Sequence, residues 1–379
     1  MTWESTVSER GSRLKRTLDA WLGRPFVLAL ALCRPRRKQP AVVEHIGILM
    51  LAAIGDSILA SAIVHDLRRT FPTARITAFV SSANRGILDL LDGFDQVVEV
   101  PIGRPIAALA LIRRFSLDLM IDIGQWARAS ALLAGLSRAR FTVGFETAGQ
   151  HRHWAFDATV EHSSARHEID NFRALAGSLG IESAAVPRLR PGILAGLAPP
   201  VARPYVVIHP WASGYRFEFR EWRIENWIAV AGFIIDSGYL VVITGGAADG
   251  ARADALAARI QRTAEVAVLA GRANLCEAAA ALAHARAVVS VNTGTMHLAA
   301  LLDRPMLALH GPTNPKRWGP LSTRSVVIGP GRDQGGAYLN LGFEYPSSPV
   351  DCMAKITPAE VISRLRELLA SSVSIEGTS

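Results

Sequence analysis

The sequence has 379 residues but only three cysteines, Cys33, Cys276 and Cys352, and none of them belongs to a CxxC pair. A disulfide framework and a zinc site are therefore not expected, and a reducing compartment fits best. No apolar run approaches the ~20 residues that a membrane-spanning helix needs. No two aspartates are spaced as D-x-D, the usual carboxylate clamp for a divalent metal on a diphosphate. We therefore expect no metal site and no cofactor.

Most of the net positive charge lies in one segment. Half of the residues are hydrophobic and 20% are charged, which is typical of a folded protein. The net charge is +8, but residues 1–40 hold nine Lys or Arg against three acids, which leaves only +2 for the rest of the chain. No basic residues alternate with aromatic ones beyond this segment. A nucleic-acid partner is therefore not expected.

The basic leader, residues 1–40, has the pattern of an amphipathic helix. Leu14, Leu18, Trp21 and Leu22 recur at helical spacing, and the apolar run 26–33 ends in the basic stretch 34–38. Eight apolar residues cannot cross a bilayer, and no signal-peptide cleavage site follows them. The pattern favours a surface anchor on anionic lipid, which predicts a cytoplasmic protein attached to the inner face of the cytoplasmic membrane. The alternative is a helix packed on the body of the protein.

From residue 45 onwards, apolar strands alternate with helices. Strand Ile46–Leu51 is followed by a predicted helix over Ser57–Thr70, and the same rhythm restarts after a proline-rich stretch with strand Tyr205–His209. Repeated βα units predict two doubly wound parallel α/β domains with a cleft between them. We place the N-terminal domain at 41–190, a linker at 191–204, the C-terminal domain at 205–350 and a last helical segment at 351–379.

Glycine and threonine follow four strands of the second half, where parallel sheets bind ligands. The segment from Val288 to His297 is the most informative, because a buried strand runs through a tight turn into a helix start, whose free N–H groups suit a diphosphate. Tight βα turns without a ligand are the alternative interpretation. The candidate donor-binding residues are His209, Ser213, Arg223, Gly245, Gly246, Asn292, Thr293, Gly294, Thr295, Met296, His297 and Thr313.

Three charged positions complete the candidate chemistry. Asp56 follows the first strand at the start of a helix, where the helix dipole keeps a carboxylate ionised, as a general base must be. It is also a plausible structural acid of a helix start. Arg220 and Arg223 follow the strand that ends at His209, and we expect at least one of them to contact the diphosphate.

The chain resembles the ADP-heptose:lipopolysaccharide heptosyltransferases, glycosyltransferase family 9, over about residues 45–370. The segments that carry the resemblance occur in order: IGILMLAAIGDSILASAIVHDLRR, DLMIDIGQWARASALLAGL, VVIHPWAS, REWRIENW, VVITGG, VNTGTMHLAALLDRP and LHGPTNPKRWGP. The resemblance implies a GT-B fold, with two Rossmann-like domains, the donor bound by the second, the acceptor by the first, and a last helix crossing back to the first. It also implies an inverting transfer without a metal.

Roles carried over by position make Asp56 the general base and place Arg220 where a lysine usually contacts the donor phosphates. The candidate acceptor-binding residues are Ile54, Gly55, Gln125 and Arg128. The implied partners are a nucleotide-diphosphate sugar, such as ADP-heptose, and a lipopolysaccharide or other lipid-linked saccharide.

Three positions depart from the family pattern: Asn292 replaces an aspartate, Trp211 replaces a glycine, and Gly124–Gln125 reverses the usual pair. The departures leave the donor sugar open, and Trp211 could stack near the nucleotide. They also keep two alternatives in view: a degenerate glycan-binding or scaffold subunit, and a nucleotide-sugar epimerase.

Overall fold

The computed structural model describes residues 13–51, 53–342 and 344–376. The chain forms two compact units that divide between Pro191 and Gly192. This division lies at the start of the proline-rich stretch 191–204. Each unit is built on one six-stranded parallel sheet, which confirms the predicted fold class.

The first unit has the strand order β3-β2-β1-β4-β5-β6. Its strands are β1 His45–Met50, β2 Arg75–Val80, β3 Gln96–Glu99, β4 Leu119–Asp122, β5 Phe141–Glu146 and β6 Ala158–Glu161. Its helices are α1 Arg13–Cys33, α2 Ile54–Ala60, α3 Ala62–Thr70, α4 Arg85–Leu90, α5 Pro105–Ile112, α6 Arg128–Gly135 and α7 Glu168–Gly177. The strand order reverses between β1 and β4. The carboxyl ends of these two strands therefore form the switch point at which such sheets bind ligands.

The helix predicted over Ser57–Thr70 is divided into α2 and α3 at Ser61. The hydroxyl of Ser57 donates to the Ala53 carbonyl at 2.9 Å, and that of Ser61 donates to the Ile58 carbonyl at 2.7 Å. Serine hydroxyls that bond back to the preceding turn compete with the helical ladder and bend it. The presence of the two serines could be read from the sequence, but their hydrogen bonds to backbone carbonyls could not.

The second unit has the strand order β12-β11-β10-β7-β8-β9, with its reversal between β7 and β10. Its strands are β7 Tyr205–His209, β8 Leu240–Ile243, β9 Val266–Val268, β10 Ala287–Val291, β11 Met306–Leu309 and β12 Ser325–Ile328. Its helices are α8 Ile224–Asp236, α9 Gly250–Ile260, α10 Leu275–Ala283, α11 Gly294–Leu301, α12 Pro315–Trp318 and α13 Pro358–Glu376. Strands β7, β8, β10 and β11 are buried throughout, as expected of apolar strands covered on both faces.

The last helix, α13, packs within the second unit. Val361, Leu365 and Leu369 recur at helical spacing and are buried against α8 and the sheet. The Trp222 indole also donates to the Ile356 carbonyl at 2.9 Å, just before α13. The sequence predicted that this helix crosses back to the first domain. In the structure, its apolar side chains are buried in the core of the second unit.

The leader is one helix, α1, that continues through Pro25 and packs on the first unit. Val27 is fully buried against α6 and the 3₁₀ turn at 152–155, and Gly23 lies directly over the Arg128 side chain. This packing corresponds to the alternative interpretation of the leader, a helix on the body of the protein. None of the helices in the described ranges is long and apolar enough to span a bilayer.

Candidate functional site

Asp56 lies in the first turn of α2, at the carboxyl end of β1. Its helix begins after Ala53, whose backbone is extended and whose side chain cannot cap the free N–H groups. The Asp56 carboxylate adds negative charge at this positive helix end, which stabilises its ionised form. Ile54 and Asp56 are both half-buried, whereas Gly55 between them is buried. The turn therefore exposes part of the Ile54 and Asp56 side chains.

A buried polar side chain that was not among the predicted site residues, Asn84, supports this turn. The Asn84 amide donates to the Met50 carbonyl and to the Ser57 hydroxyl, both at 2.7 Å, and its oxygen accepts from the N–H and hydroxyl of Ser81. Asn84 thereby ties the end of β1 to the residue after Asp56. Because every polar atom of the amide is used, the turn is rigid before any ligand arrives.

The β4–α6 loop, residues 124–127, lies at the carboxyl end of β4, the strand next to β1. Its first residue, Gly124, donates its N–H to Asp122 at 2.8 Å and accepts a bond from Arg152 through its carbonyl. Asp122 and Arg152 form a fully buried ion pair at 2.5 Å. Burial raises the pKa of Asp122, and the charge of Arg152 opposes this. Gln125 is half-buried within the loop, and its backbone carbonyl accepts a hydrogen bond from the Thr147 hydroxyl.

Arg128, a candidate acceptor ligand, is 1% exposed and is an internal partner instead. Its guanidinium pairs with Asp19 of α1 at 3.2 Å and donates to the Gly149 carbonyl at 3.3 Å. The Arg128 guanidinium, which was expected to bind the acceptor, is therefore paired with a carboxylate of the leader helix. A contact between residues more than a hundred positions apart cannot be read from local pattern.

The second unit gathers its candidate residues at one sheet edge through His209. The His209 ring lies 3.0 Å from the Thr244 hydroxyl at the end of β8, and 3.3 Å from the Thr295 hydroxyl in α11. Burial lowers the pKa of His209 to about 4, so the imidazole is neutral at physiological pH. It therefore connects three loops without adding charge.

The turn into α11 has the geometry of an anion site. Thr293 is the extended N-cap residue, and its own side chain does not cap the N–H groups of Gly294, Thr295 and Met296. The Thr293 hydroxyl is buried and has no hydrogen-bond partner within the described residues. Buried polar groups are nearly always paired, so this hydroxyl is available to a ligand or to an ordered water. His297 is 6% exposed one turn further along the helix.

Gly245 and Gly246 were expected to bring the backbone close to a ligand, but the structure gives them other roles. A side chain at Gly245 would lie 2.7 Å from the indole of Trp211. The N–H of Gly246 is donated to the Asp249 carboxylate at 2.8 Å. Trp211 itself is 3% exposed, with the Arg252 guanidinium 4.4 Å above its ring. It packs in the core of the unit, and no part of the fold requires it to stack on a nucleotide.

The two candidate arginines differ in their surroundings. Arg220 is half-buried and donates to the Ser213 carbonyl, while its Nε is buried without a partner within the described residues. Arg223 is more exposed and lies 3.6 Å from Asp351. Arg220 thus retains an unused donor in the loop between β7 and α8, whereas Arg223 already has a carboxylate beside it.

Asn292 is held as a hydrogen-bond donor at the end of β10. Its amide nitrogen lies 3.1 Å from the Trp318 carbonyl and 3.4 Å from His310. An aspartate here would place a carboxylate oxygen against that carbonyl, which gives a physical reason for the amide. Burial lowers the pKa of His310 to about 4, and the Thr313 hydroxyl lies 3.0 Å from its other nitrogen.

An aromatic cluster beside Arg220 was not predicted. It consists of Tyr215, Phe219, Tyr338 and Tyr345, with ring centroids about 6 Å apart, and the Arg216 guanidinium lies over three of these rings. The Tyr338 hydroxyl is buried and has no partner in the described ranges, whereas the buried Tyr345 hydroxyl lies beside the Arg220 side chain. Burial raises the pKa of Tyr345, and the charge of Arg220 opposes this.

Within the described residues, no group of three or more His, Cys, Asp or Glu side chains could hold a metal ion. The candidate donor residues that the structure brings together are His209, Thr293, Gly294, Thr295, Met296 and Asn292 at one edge. Arg128, Gly245, Gly246 and Thr313 are already engaged by other parts of their own units.

The comparisons with known proteins agree on one family. The family model of glycosyltransferase family 9 (heptosyltransferase) matches residues 110–336. The chain is 26% identical to the lipopolysaccharide heptosyltransferase 2 of Salmonella typhimurium, covering 84% of this chain and 96% of that protein. It is 35% identical to the lipopolysaccharide heptosyltransferase 1 of Pseudomonas aeruginosa over 153 residues, 40% of this chain and 37% of that protein.

Solved structures show the same fold. The Escherichia coli ADP-heptose lipopolysaccharide heptosyltransferase II has a TM-score of 0.70 at 23% identity, covering 86% of this chain and 99% of that one. The E. coli heptosyltransferase WaaC with ADP gives 0.68, with the same identity and coverage. These likenesses confirm the GT-B fold. Since the family model spans the greater part of the chain, the protein belongs to glycosyltransferase family 9, the heptosyltransferase family, and is a glycosyltransferase.

Proposed function

We propose that this enzyme transfers a heptose or a related sugar from a nucleotide-diphosphate sugar to a hydroxyl of lipopolysaccharide or another lipid-linked saccharide. The proposal includes inversion at the anomeric carbon and no metal cofactor. The observation that supports it best is the uncapped start of α11, where the buried Thr293 hydroxyl has no partner in the described residues. The names of the relatives, lipopolysaccharide heptosyltransferases, favour a heptose donor and a lipopolysaccharide acceptor.

The donor diphosphate would be bound by the second unit. The N–H groups at Gly294, Thr295 and Met296 and the positive end of α11 suit an anion, and the Thr293 hydroxyl adds a donor. Arg220 would supply the positive charge, through the Nε that is unpartnered in the described ranges. As the bond from the anomeric carbon to the diphosphate oxygen breaks, that oxygen takes the electron pair, and these groups stabilise the new charge.

The acceptor would be activated by the first unit. The Asp56 carboxylate takes the proton of the acceptor hydroxyl as that oxygen forms its bond to the anomeric carbon, on the face opposite the leaving group. The dipole of α2 keeps the carboxylate ionised, and Asn84 fixes the turn that carries it. Ile54, Gly55 and Gln125 are the remaining candidates for contact with the acceptor.

The test is a screen of nucleotide sugars that includes ADP-heptose, with nucleoside-diphosphate release measured with and without a heptose-deficient lipopolysaccharide acceptor. We expect release that depends on both substrates and a labelled sugar that moves to the acceptor. Without acceptor, release of nucleoside diphosphate would indicate hydrolysis instead, and conversion of the donor to an epimeric nucleotide sugar would indicate an epimerase. Binding of a nucleotide sugar with no turnover on any acceptor would support a degenerate binding subunit.

We further propose that α1 attaches the enzyme to the cytoplasmic face of an anionic membrane. Its apolar face consists of large side chains that are 44–79% exposed, namely Leu18, Trp21, Leu22, Phe26, Leu28 and Leu32. The opposite side of the helix is buried in the first unit. Arg24, Arg36 and Lys38 are exposed nearby, whereas Arg34 and Arg37 pair with Asp157 and are not free for headgroups. A helix with this distribution suits the interface of an anionic bilayer.

Flotation with phosphatidylglycerol vesicles tests this attachment. The double variant Trp21→Ala and Phe26→Ala should bind at least about tenfold more weakly, because each side chain contributes on the order of 1.5–3 kcal/mol when fully buried. The control is Ile106→Ala, which removes an equally exposed apolar side chain from α5. Equal vesicle binding by the wild type, the double variant and Ile106→Ala would contradict the attachment of α1 to the membrane.

A further inference from the structure

The most unusual contact of α1 is not with lipid but with the start of α6. Ala127, the N-cap residue of α6, has no side-chain oxygen and makes no cap bond. Asp19 of α1 takes that role from 109 residues away. It accepts the N–H of Arg128 at 3.2 Å and that of Ala129 at 2.9 Å, and it pairs with the Arg128 guanidinium at 3.2 Å. One carboxylate thus satisfies two of the free N–H groups of α6 and the buried charge beside them.

These contacts fix the far end of the β4–α6 loop. Its near end, Gly124, is held by the buried pair of Asp122 and Arg152. Its middle is held where Thr147 donates to the Gln125 carbonyl. Asp19 is the anchor of this loop that comes from the leader helix, and its side chain is only 13% exposed.

The packing around Asp19 makes the contact specific. A side chain at Gly23, one turn further along α1, would lie 2.8 Å from two carbons of the Arg128 side chain. Glycine therefore lets α1 lie flat on Arg128 and brings the Asp19 carboxylate to the helix start. Without Asp19, the Arg128 guanidinium would keep the Gly149 carbonyl but lose its buried counter-charge, which is costly in a site that water cannot reach.

We propose that Asp19 is a positioning residue for the acceptor: through α6 it sets the β4–α6 loop in its binding conformation, and so joins the lipid-facing helix to the acceptor site. This inference rests on the proposed function, because it takes Gln125 as an acceptor contact. The substrate class that fits is a saccharide whose lipid remains in the membrane beside α1. Such an acceptor meets the loop and the apolar face of α1 together.

The test compares Asp19→Asn with Asp19→Glu, which keeps the charge, and with Asp89→Asn, which breaks an exposed ion pair on α4. Two readouts are measured on the full chain: amide hydrogen exchange at residues 124–129, and steady-state kinetics with each substrate varied. Asp19→Asn should exchange faster at these amides and raise the acceptor KM about tenfold, the equivalent of about 1.4 kcal/mol. The kcat and the donor KM of Asp19→Asn should stay within about twofold of the wild-type values. Asp19→Glu should have an acceptor KM close to that of the wild type. Asp89→Asn should match the wild type in both readouts.

The outcomes separate the inference from the function on which it rests. An unchanged acceptor KM in Asp19→Asn overturns the positioning role, whatever the exchange rates. A fall in the apparent kcat in proportion to the unfolded fraction, with both KM values unchanged, also overturns it and assigns Asp19 to stability alone. A wild-type enzyme that transfers no sugar overturns the proposed function and the acceptor role with it, while the exchange data still report whether Asp19 caps α6.

Discussion

The two sheets share one strand order, yet their carboxyl edges carry opposite chemistry. At the edge of the first unit, Asp56 occupies a helix start that a buried amide, Asn84, holds rigid. At the edge of the second unit, the helix start is empty of carboxylates, and a neutral imidazole, His209, links the loops around it. The same topology thus presents an acid in one unit and a nest of N–H groups in the other.

This difference indicates that the first unit is suited to removing a proton and the second to stabilising a diphosphate leaving group. A carboxylate that acts as a general base must be ionised, whereas a diphosphate leaving group needs hydrogen-bond donors and positive charge. Placing neutral histidines at the second edge keeps it free of charges that would vary with pH. The fold supplies the position at the switch point of each sheet, and a few side chains decide the role.

The largest expected effect is the loss of the base at the first edge. Asp56→Asn should lower kcat at least about 100-fold, because general-base catalysis contributes on the order of 10²–10⁴. Donor affinity, measured by calorimetry, should remain nearly unchanged, since the proposed donor site lies in the other unit. Asp89→Asn serves as the control for the same chemical change on an exposed residue. Full turnover in Asp56→Asn would rule this residue out as the base.

A smaller effect is expected at the second edge. Thr293→Val keeps the shape of the side chain but removes its buried hydroxyl, which should weaken binding of the donor or of ADP about tenfold, as expected for one hydrogen bond to a charged group. The matched control is Thr263→Val, an exposed threonine of the same unit. If Thr293→Val and the control bind ADP equally well, the diphosphate does not lie at the start of α11.

The third prediction concerns stability and pH rather than catalysis or binding. Burial lowers the pKa of His209 to about 4, below the ~6.5 of an unfolded histidine, so the unfolded state binds more protons between these values. Stability should therefore fall as pH drops from 7 to 5, by about 2 kcal/mol for this imidazole. In urea unfolding, His209→Gln should show a smaller fall than the wild type. An identical fall in both proteins would argue against a buried neutral His209.

Much of the fold could be predicted because its strands are apolar and end at glycine, threonine or aspartate. The edge strands β6 and β12 were missed, since they are short and only partly buried. Helix α7 was also missed, although Ile169, Phe172 and Leu175 repeat at helical spacing. Its start carries a buried Glu168 that lies 3.1 Å from His162, and such internal polar pairs resemble a surface pattern in sequence.

The candidate site was predictable where function requires a local motif and not where packing decides. The turn at Asp56 and the start of α11 follow directly from strand, turn and helix signals. The burial of Arg128 by Asp19, the packing of Trp211 against Gly245 and the aromatic cluster at Tyr338 depend on contacts between distant segments. No local periodicity contains that information.

Product stereochemistry tests the central claim most directly. A single displacement, with Asp56 taking the proton and the second unit holding the leaving group, must invert the anomeric carbon. Nuclear magnetic resonance of the saccharide formed from an anomerically pure donor should therefore show the configuration opposite to that of the donor. Retention of the donor configuration would contradict the account, because it would require a second displacement or an attack from the leaving-group face.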